Sequence, residues 1–274
     1  MNMSFALFFK QAMKIENCEI LTINLIEKDI LEICVKNEFF NIKVGQFFNI
    51  KPANDSMILR RPISVNKFDE EKINFIIKLE GDGTKSFLSK KVGEFLDIMG
   101  PLGNGFSNLY KNKKILLIGG GVGNAPLVQL GIDIDKSCEI FSKLGFLENA
   151  YQIEEFSNFS KSVDVYVEKK SDKEKKYNGN VSLLYGEYPT YELKKFIEDK
   201  NIEVIYTCGP EIMMRSVYNI AKEIDGNIEF YASLEERMAC GVGACLCCTK
   251  KITEETSVCV CKDGPVFKGE EVFI

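Results

Sequence analysis

Six of the ten cysteines lie close together near the C-terminus, between residues 238 and 267. Four of these cysteines are separated by four, two and twelve residues: Cys240, Cys245, Cys248 and Cys261. This is the spacing of plant-type 2Fe-2S ligands, and soft thiolates suit both ferric and ferrous iron. Gly241 and Gly243 let the backbone wrap closely and aim N–H groups at sulfur. The spacing therefore predicts a segment folded around a 2Fe-2S cluster.

Two other kinds of site remain open for these cysteines. A zinc site normally combines two C-x2-C pairs roughly 15–20 residues apart, whereas here only Cys245 and Cys248 form such a pair. A solvent-exposed cluster of redox-active thiols is the second alternative. Cys247 and Cys259 are spare, and one of them can in principle replace Cys248 or Cys261 as a ligand. The remaining cysteines are predicted to be small buried apolar residues: Cys18, Cys34, Cys138 and Cys208.

The chain contains no histidine. This excludes a Ser-His-Asp triad, a His-ligated zinc site and a Rieske cluster built from this polypeptide alone. The net charge of −5 argues against a nucleic-acid-binding surface or a polybasic membrane patch. No apolar run approaches the roughly 18–20 residues of a membrane helix, and the N-terminus lacks the basic start of a signal peptide. We therefore expect a cytoplasmic protein that binds neither nucleic acid nor membrane.

The pattern of apolar residues divides the chain into three parts. Residues 15–110 contain alternating and β-branched runs separated by turn signals, which predicts a small antiparallel β-barrel. Residues 112–230 alternate short apolar strands with helical segments, which is typical of a doubly wound parallel sheet. We predict a multidomain β plus α/β protein, with a barrel domain at 1–110, an α/β domain at 111–230 and a small iron–sulfur module at 231–274.

Two glycine-containing turns are predicted at strand ends of the α/β domain. In LLIGGGVGNAPL (116–127) the turn joins a strand to a helix, so a pyrophosphate can approach backbone N–H groups. In TCGP (207–210) a strand gives way to a helix. The alternatives are a tightly packed turn and a helix cap. The candidate nucleotide-binding residues are Gly119, Gly120, Gly121, Gly123, Cys208, Gly209 and Pro210. The second strand offers Ser142 and Lys143 rather than a clear acidic residue, so the spacing does not choose between NAD and NADP.

Two segments of the barrel carry phosphate-binding chemistry. LRRPISV (59–65) places two arginines before a strand, where they can hold a pair of phosphates. A solvated strand edge is the alternative reading. KLEGDGTKSFLS (78–89) places Gly81, Gly83 and Thr84 before a helical run, which forms a second phosphate cradle. Because both segments belong to one barrel, together they favour a flavin nucleotide site.

The combination of RPIS, GDGT, GGGVGNAPL and CGP resembles the ferredoxin reductase-like flavoproteins. The run EERMACGVGACLCC…VCKDGPVF is similar to the electron-transfer subunits of type B (NAD-dependent) dihydroorotate dehydrogenase, and GPLGNGF (100–106) fits as the link between barrel and nucleotide domain. The resemblance implies FAD in the barrel, NAD(H) in the α/β domain and a 2Fe-2S cluster at the C-terminus. In the family's R-x-Y-S/T flavin motif, Arg61 and Ser64 match, whereas Ile63 replaces the aromatic residue. The flavin contacts implied are Arg61, Pro62, Ile63, Ser64, Ile76, Ile77, Lys78, Gly83 and Thr84, and the ligands implied are Cys240, Cys245, Cys248 and Cys261.

The resemblance also implies a partner, an FMN-containing catalytic subunit that oxidises dihydroorotate to orotate, assembled as a 2+2 heterotetramer. No dihydroorotate site is recognised on this chain. NAD exchanges a hydride, an iron–sulfur cluster exchanges single electrons and a flavin does both, so FAD is placed between the other two. Cys208 is expected near the nicotinamide. The LCC loop and DGPVF are expected to face the partner, with Val266 and Phe267 as exposed anchors or as a cover for the cluster.

One stretch departs from the family. EKKSDKEKKYN (168–178) stands where an acidic, glycine-bearing turn is usual before GNV. Three alternative functions remain: the small subunit of an NAD(P)H–ferredoxin oxidoreductase or sulfide dehydrogenase-like complex, a zinc-stabilised nucleotide-binding regulator, and a stand-alone diaphorase.

Overall fold

The computed structural model describes residues 13–106, 110–169, 177, 179–224 and 226–274. Most of the departing stretch at 168–178 lies outside the described residues.

The N-terminal part is a closed antiparallel barrel of six strands, in the order β1-β2-β5-β4-β3-β6. Its strands are β1 Lys14–Glu27, β2 Ile30–Lys36, β3 Phe47–Ile50, β4 Arg61–Phe68, β5 Lys72–Lys78 and β6 Phe95–Leu102. Apolar residues that alternate along the strands fill the interior, where Phe48 packs edge-on against Phe39 and Phe75. Helix α1 (Asp82–Lys85) and a 3-10 turn (Ser86–Ser89) connect β5 to β6. The predicted barrel is confirmed.

The next part is a parallel sheet with helices on both faces. Its strands are β7 Lys114–Gly120, β8 Glu139–Phe146, β9 Ser162–Val167, β10 Val181–Tyr185, β11 Val204–Cys208 and β12 Glu229–Ser233, and its helices are α2 Ala125–Asp133, α3 Ile153–Phe159, α4 Leu193–Lys200 and α5 Glu211–Ile224. Leu117 packs with α2 and α3 on one face, and Leu116 packs with α4 and α5 on the other. The predicted doubly wound α/β fold is confirmed.

The strand order of this sheet is β10-β9-β8-β7-β11-β12. The chain leaves β7 toward one edge and returns to β11 on the other side of β7, so the strand order reverses between these two strands. Ligands of open α/β sheets bind at such a switch point, outside the carboxyl ends of the strands. Both predicted glycine turns, after β7 and after β11, lie at this position.

The C-terminal segment starts from the same sheet and returns to it. It contains β13 Thr249–Lys251, β14 Ser257–Cys259, α6 Val260–Asp263, β15 Val266–Lys268 and α7 Gly269–Val272. Strand β15 pairs antiparallel with β12 and extends the sheet to seven strands. The predicted limit between residues 230 and 231 falls inside β12. The iron–sulfur module is therefore built onto the edge of the α/β sheet.

The end of the barrel holds the cysteine segment in place. The side-chain amide of Asn104 donates to the carbonyl oxygens of Lys262 and Asp263, each at 3.0 Å, and its backbone N–H donates to Gly264 O at 2.6 Å. Helix α2 also packs against β4, where Gln129 Oε1 accepts the backbone N–H of Phe68 at 2.9 Å. Barrel, sheet and cysteine segment thus meet along shared surfaces. Within the described residues, no helix has the length and apolarity needed to cross a membrane.

Candidate functional site

Arg61 and Gly83 come from different elements of the barrel and lie in direct contact. A Cβ built on Gly83 would lie only 2.1 Å from Arg61 Nε, so the guanidinium group rests on the Gly83 backbone. Thr84 follows in α1, and its hydroxyl donates to Gly81 O at 3.1 Å. The structure therefore brings together a cation, an N-terminal helical turn and a hydroxyl, which are groups that bind phosphate. The arrangement of Arg61, Gly83 and Thr84 fits the predicted flavin phosphate site.

The other predicted flavin contacts differ in exposure. Pro62, Ile63 and Ser64 are half-buried on β4. By contrast, Ile76 packs with the core of the α/β sheet and Ile77 points into the barrel, so only their backbone can face a cofactor. Lys78, at the end of β5, forms an ion pair with Glu80 at 2.5 Å.

The two adjacent arginines have separate roles. Arg60 makes a bidentate ion pair with Asp97, at 2.8 and 2.9 Å, and also donates to Asp97 O at 3.0 Å. This side chain therefore ties β6 to the start of β4. Arg61 donates to the carbonyl oxygens of Leu59 and Arg60 rather than to a carboxylate. The sequence suggested a pair of phosphate-binding arginines, but the structure leaves only Arg61 available for that purpose.

Replacing Arg60 with alanine is expected to lower the free energy of unfolding by about 1–2 kcal/mol, because a half-buried bidentate pair is lost. The FAD bound per chain should stay near the wild-type value. Urea unfolding and flavin absorbance of the purified protein test both statements, and Asp97→Ala is the matched variant. A loss of flavin from Arg60→Ala with unchanged stability would reverse the two roles.

The glycine turns after β7 and β11 are pressed against each other. A Cβ on Gly123 would lie 2.6 Å from Cys208 O and Gly209 Cα, and one on Gly209 would lie 2.8 Å from Gly120 N. A Cβ on Gly120 would meet the ring of Pro210 at 2.8 Å. These contacts require glycine for packing, which is the structural alternative raised by the sequence.

Gly121 differs from its neighbours. It adopts φ +58°, and a Cβ there would meet no atom within 4 Å. Its backbone therefore borders open space at the switch point, where a dinucleotide could approach. Gly119, two residues earlier in β7, packs under the side chain of Asn124. The turn combines glycines that pack with one that leaves the crevice open.

Two polar groups beside this crevice were missed by the sequence analysis. Asn124 Oδ1 and Thr207 Oγ1 are buried and have no hydrogen-bond partner among the described residues. Asn124 uses its amide nitrogen to donate to Gly121 O at 3.0 Å, and Thr207 lies one residue before the end of β11. Buried polar atoms are normally paired, so these two are consistent with a ligand-binding position. The sequence could have indicated them, because Asn124 is the polar residue of LLIGGGVGNAPL and Thr207 is the polar residue that precedes CGP.

The remaining predicted nucleotide residue, Cys208, is fully buried at the end of β11, and burial raises the pKa of its thiol. Its placement near the nicotinamide stays a prediction.

The sequence suggested that Ser142 and Lys143 lie at the end of their strand, but the structure places them elsewhere. They are buried in the middle of β8, where Ser142 bonds Ser160 at 2.8 Å and Lys143 pairs with Asp164 at 3.3 Å.

All four predicted cluster ligands accept backbone N–H hydrogen bonds at sulfur. The pairs are Val242 N and Cys245 N to Cys240 Sγ (3.5 and 3.4 Å), Cys247 N to Cys245 Sγ (3.5 Å), Cys261 N to Cys248 Sγ (3.3 Å) and Gly243 N to Cys261 Sγ (3.1 Å). In the described part of the chain, the sulfurs of Cys247 and Cys259 receive no such bond. N–H···S bonds stabilise thiolates and iron–sulfur centres. The set of four therefore fits an iron–sulfur site, although the sulfurs are not all gathered at one point.

The thiols of this loop differ in acidity. Burial raises the pKa of Cys240, but backbone N–H bonds from Val242 and Cys245 outweigh it and lower that pKa to about 6. Burial, together with a hydrogen bond to Cys248, raises the pKa of Cys261. At neutral pH Cys240 is thus mostly thiolate, the form that binds metal.

The cysteine loop lies directly against the barrel. A Cβ on Gly241 would be 2.3 Å from Asn49 Nδ2 on β3, and Leu102 at the end of β6 is the next neighbour. Asn49 is only 1% exposed, and within the part of the chain that the structure describes neither polar atom of its side-chain amide has a hydrogen-bond partner. Because β3 pairs with β4, Asn49 stands between the predicted flavin strand and the cluster loop.

The expected partner-facing residues are only partly where the sequence placed them. Phe267 is 6% exposed and packs against Gly264, so it belongs to the core, and Val266 is half-buried. The hypothesis that Phe267 is an exposed anchor is wrong, whereas half-buried Val266 keeps part of its side chain at the surface. Leu246, in the LCC loop, is 64% exposed, and Val242 is also exposed. The apolar surface beside the cluster is therefore formed by the loop of the first three ligands.

Known proteins resemble this chain over most of its length. A sequence model of the iron–sulfur cluster binding domain of dihydroorotate dehydrogenase B matches residues 235–273. The dihydroorotate dehydrogenase B (NAD(+)) electron transfer subunit of Caldanaerobacter subterraneus is 36% identical over 231 residues, covering 83% of this chain and 86% of that protein. The chain belongs to the family of dihydroorotate dehydrogenase B electron transfer subunits. The Streptococcus pneumoniae electron transfer subunit is 32% identical over 269 residues, 95% of this chain and 99% of its own length.

Solved structures confirm the fold expected for a dihydroorotate dehydrogenase B electron transfer subunit. A chain of the NADH-dependent reduced ferredoxin-NADP oxidoreductase superimposes with a TM-score of 0.75 at 23% identity, covering 93% of this chain and 89% of that one. A ferredoxin NADP+ reductase from Neisseria gonorrhoeae, solved with bound FAD and NADP, gives a TM-score of 0.58 at 16% identity, covering 82% and 95%. The resemblance in fold to ferredoxin reductases is confirmed.

Proposed function

We propose that this chain is the electron-transfer subunit of a cytoplasmic dihydroorotate dehydrogenase complex of pyrimidine biosynthesis. Electrons enter from an FMN-containing catalytic subunit, cross the 2Fe-2S cluster and FAD, and reach NAD+. Two copies of each subunit form the complex. Residues 1–110 bind FAD, 111–230 bind NAD(H), and 231–274 hold the cluster. The observation that carries this proposal is the cysteine loop, which holds four N–H-bonded sulfurs and contacts, through Gly241, the strand that neighbours the flavin motif.

The residues of the chain divide the work of holding these groups. When bound, FAD exchanges both single electrons and hydride, whereas the cluster exchanges only single electrons and NAD only hydride. Arg61, Gly83 and Thr84 hold the flavin phosphates, and half-buried Ser64 lies on the same strand as Arg61. The turn at Gly121 binds the pyrophosphate of NAD(H) at the switch point.

The cluster ligands fall into two pairs along the loop. Cys240 and Cys245 are joined by an N–H···S bond of 3.4 Å, and Cys248 and Cys261 by one of 3.3 Å. When the cluster is bound, each pair would provide the ligands of one iron. The transfer of electrons and hydride between these cofactors needs no acid or base from the protein, which agrees with the absence of histidine from the sequence.

The proposal is tested by purifying the chain alone and after co-expression with an FMN-containing dihydroorotate dehydrogenase catalytic subunit. Dihydroorotate-dependent reduction of NAD+ is expected only in the complex, which should contain FAD, FMN and a 2Fe-2S cluster. FAD and iron without complex formation would refute the partner and retain the cofactor assignment. In that case ferredoxin becomes the acceptor to test, because the ferredoxin-NADP oxidoreductase chain shares the fold at a TM-score of 0.75.

Leu246 is expected to contact the partner. It adopts φ +58°, which is unfavourable for a leucine, and its side chain projects into solvent beside the ligands. Leu246→Asn should leave the free energy of unfolding unchanged or raise it by up to about 1 kcal/mol, because asparagine tolerates this conformation. It should weaken the complex about tenfold, since an apolar anchor is lost. Titration of catalytic subunit measures the affinity, and Ile132→Asn, at an exposed position of α2, is the control. Equal affinity of the wild type and Leu246→Asn would remove Leu246 from the interface.

A further inference from the structure

Cys259 is not among the predicted ligands, yet its sulfur lies among theirs. Cys259 Sγ is 3.5 Å from Cys248 Sγ and 3.8 Å from Cys261 Sγ, and all three sulfurs lie within 4.8 Å of one another. The thiol is neither fully exposed nor buried in the apolar core. Three sulfurs therefore stand where the pairing of ligands calls for two.

The separations are those of thiolates on one metal ion. Two thiolates bound to a tetrahedral ion at about 2.3 Å are about 3.8 Å apart. Cys259 meets this condition with Cys248 and with Cys261 in turn. Its position is fixed by the backbone, because β14 ends at Cys259 in register with Thr249, and the Cys259 N–H donates to Asp263 Oδ2 at 2.7 Å.

Backbone hydrogen bonds favour two of the three sulfurs over the third as iron ligands. Cys248 and Cys261 each accept a backbone N–H bond, from Cys261 and Gly243, whereas Cys259 accepts none from the described backbone. Such bonds stabilise the charged sulfur. Cys259 is thus the weakest of the three ligands, but it needs little movement to bind.

We propose that Cys259 is a reserve ligand of the 2Fe-2S cluster, able to replace at least one of Cys261 and Cys248 on the iron that these two would share. The inference rests on the proposed cluster and extends it to this cysteine. The exchange breaks one iron–sulfur bond and forms another, with the proton of the Cys259 thiol passing to the released thiolate, so the cluster charge and electron count are unchanged. Because Cys259 has no backbone N–H bond, a cluster held by it should have a lower reduction potential.

The test uses alanine variants of the full chain, since a serine oxygen could itself bind iron. Cys261→Ala and Cys248→Ala are each made alone, with Cys259→Ala, and with Cys247→Ala as the matched control for removing a spare thiol. Iron and acid-labile sulfide are measured per chain, electron paramagnetic resonance spectra are recorded after reduction with dithionite, and bound FAD reports folding. Cys240→Ala has no spare sulfur at this distance among the described cysteines and serves as the variant that loses the cluster.

At least one of the two single variants should keep about half or more of the wild-type iron, with a changed spectrum, because a sulfur remains at the tetrahedral separation. Adding Cys259→Ala should abolish that cluster, and adding Cys247→Ala should not. Cys259→Ala alone should match the wild type in iron and spectrum. The proposal is overturned if both single variants lose the cluster while retaining FAD, if the double variants with Cys259→Ala keep it, or if Cys259→Ala alone changes the spectrum. A wild-type chain without iron would instead refute the proposed function.

Discussion

Replacing Gly83 with alanine is expected to weaken FAD binding by about tenfold to a hundredfold, the size expected when a charged hydrogen bond is lost. The new methyl group would occupy the place of the Arg61 guanidinium, whose Nε lies 2.1 Å from the position of Cβ. The end of an arginine side chain can move away at little cost, so the barrel should retain its stability. The substitution therefore separates the position of the cation from the integrity of the fold.

A matched control lies two residues earlier in the same loop. A Cβ on Gly81 would meet no atom within 4 Å, and its φ of −114° suits any residue. Gly81→Ala should therefore bind FAD like the wild type. Flavin release on dilution, followed by fluorescence, gives the affinity, and thermal unfolding of the flavin-free protein gives the stability. Equal affinities for the two variants would show that Arg61 does not contact the flavin.

Replacing Gly123 with alanine is expected to lower the free energy of unfolding by about 3 kcal/mol, the upper range for overpacking a tight site. Here the obstructing atoms are backbone, Cys208 O and Gly209 Cα at 2.6 Å, and these cannot turn aside as a side chain can. To fit the methyl group, the turns after β7 and β11 must separate. Because the proposed nucleotide crevice lies between them, NADH-dependent dye reduction should also fall by at least about tenfold.

Gly121→Ala is the control for the second prediction. Its φ of +58° costs alanine about 1 kcal/mol, but no atom obstructs the methyl group. The difference between the two variants in urea unfolding then measures the contact between the turns rather than the loss of glycine. Wild-type stability for Gly123→Ala would mean that the turns are not in contact in solution.

The parts of this protein that the sequence predicted are those encoded by local spacing. The cysteine segment, which matches an iron–sulfur binding domain, and the glycine turns each occupy a short stretch, so their candidate chemistry is visible without the fold. The separation of Arg60 from Arg61 was not predictable in this way, because it depends on Asp97, which lies 37 positions from Arg60 in a different strand. Adjacent identical residues carry no local sign of which one will find a carboxylate.

The same reason explains the errors at the C-terminus. Phe267 was expected to be an exposed anchor because the cluster must lie near a surface to exchange electrons with a partner, but β15 pairs with β12 and turns that side chain into the core. The proximity of Cys259 to Cys248 likewise arises from the pairing of β13 with β14, which the sequence pattern does not predict.

Lys143 and Ser142 were misplaced because the length of β8 was not known, and the strand continues beyond them to Phe146.

The two strands that flank the cysteine segment have an evolutionary consequence. Ser233 and Val266 are directly opposite each other in the sheet, and the backbone N–H of Leu234 bonds Pro265 O at 2.8 Å. Everything between them leaves and re-enters the fold at one point, so the pairing of the two strands closes the loop whatever its length. The segment between Leu234 and Pro265 is therefore an insertion between two paired strands. An ancestral reductase could acquire or lose such an insertion without rearranging its sheet, and with it gain or lose the ability to exchange electrons with another protein.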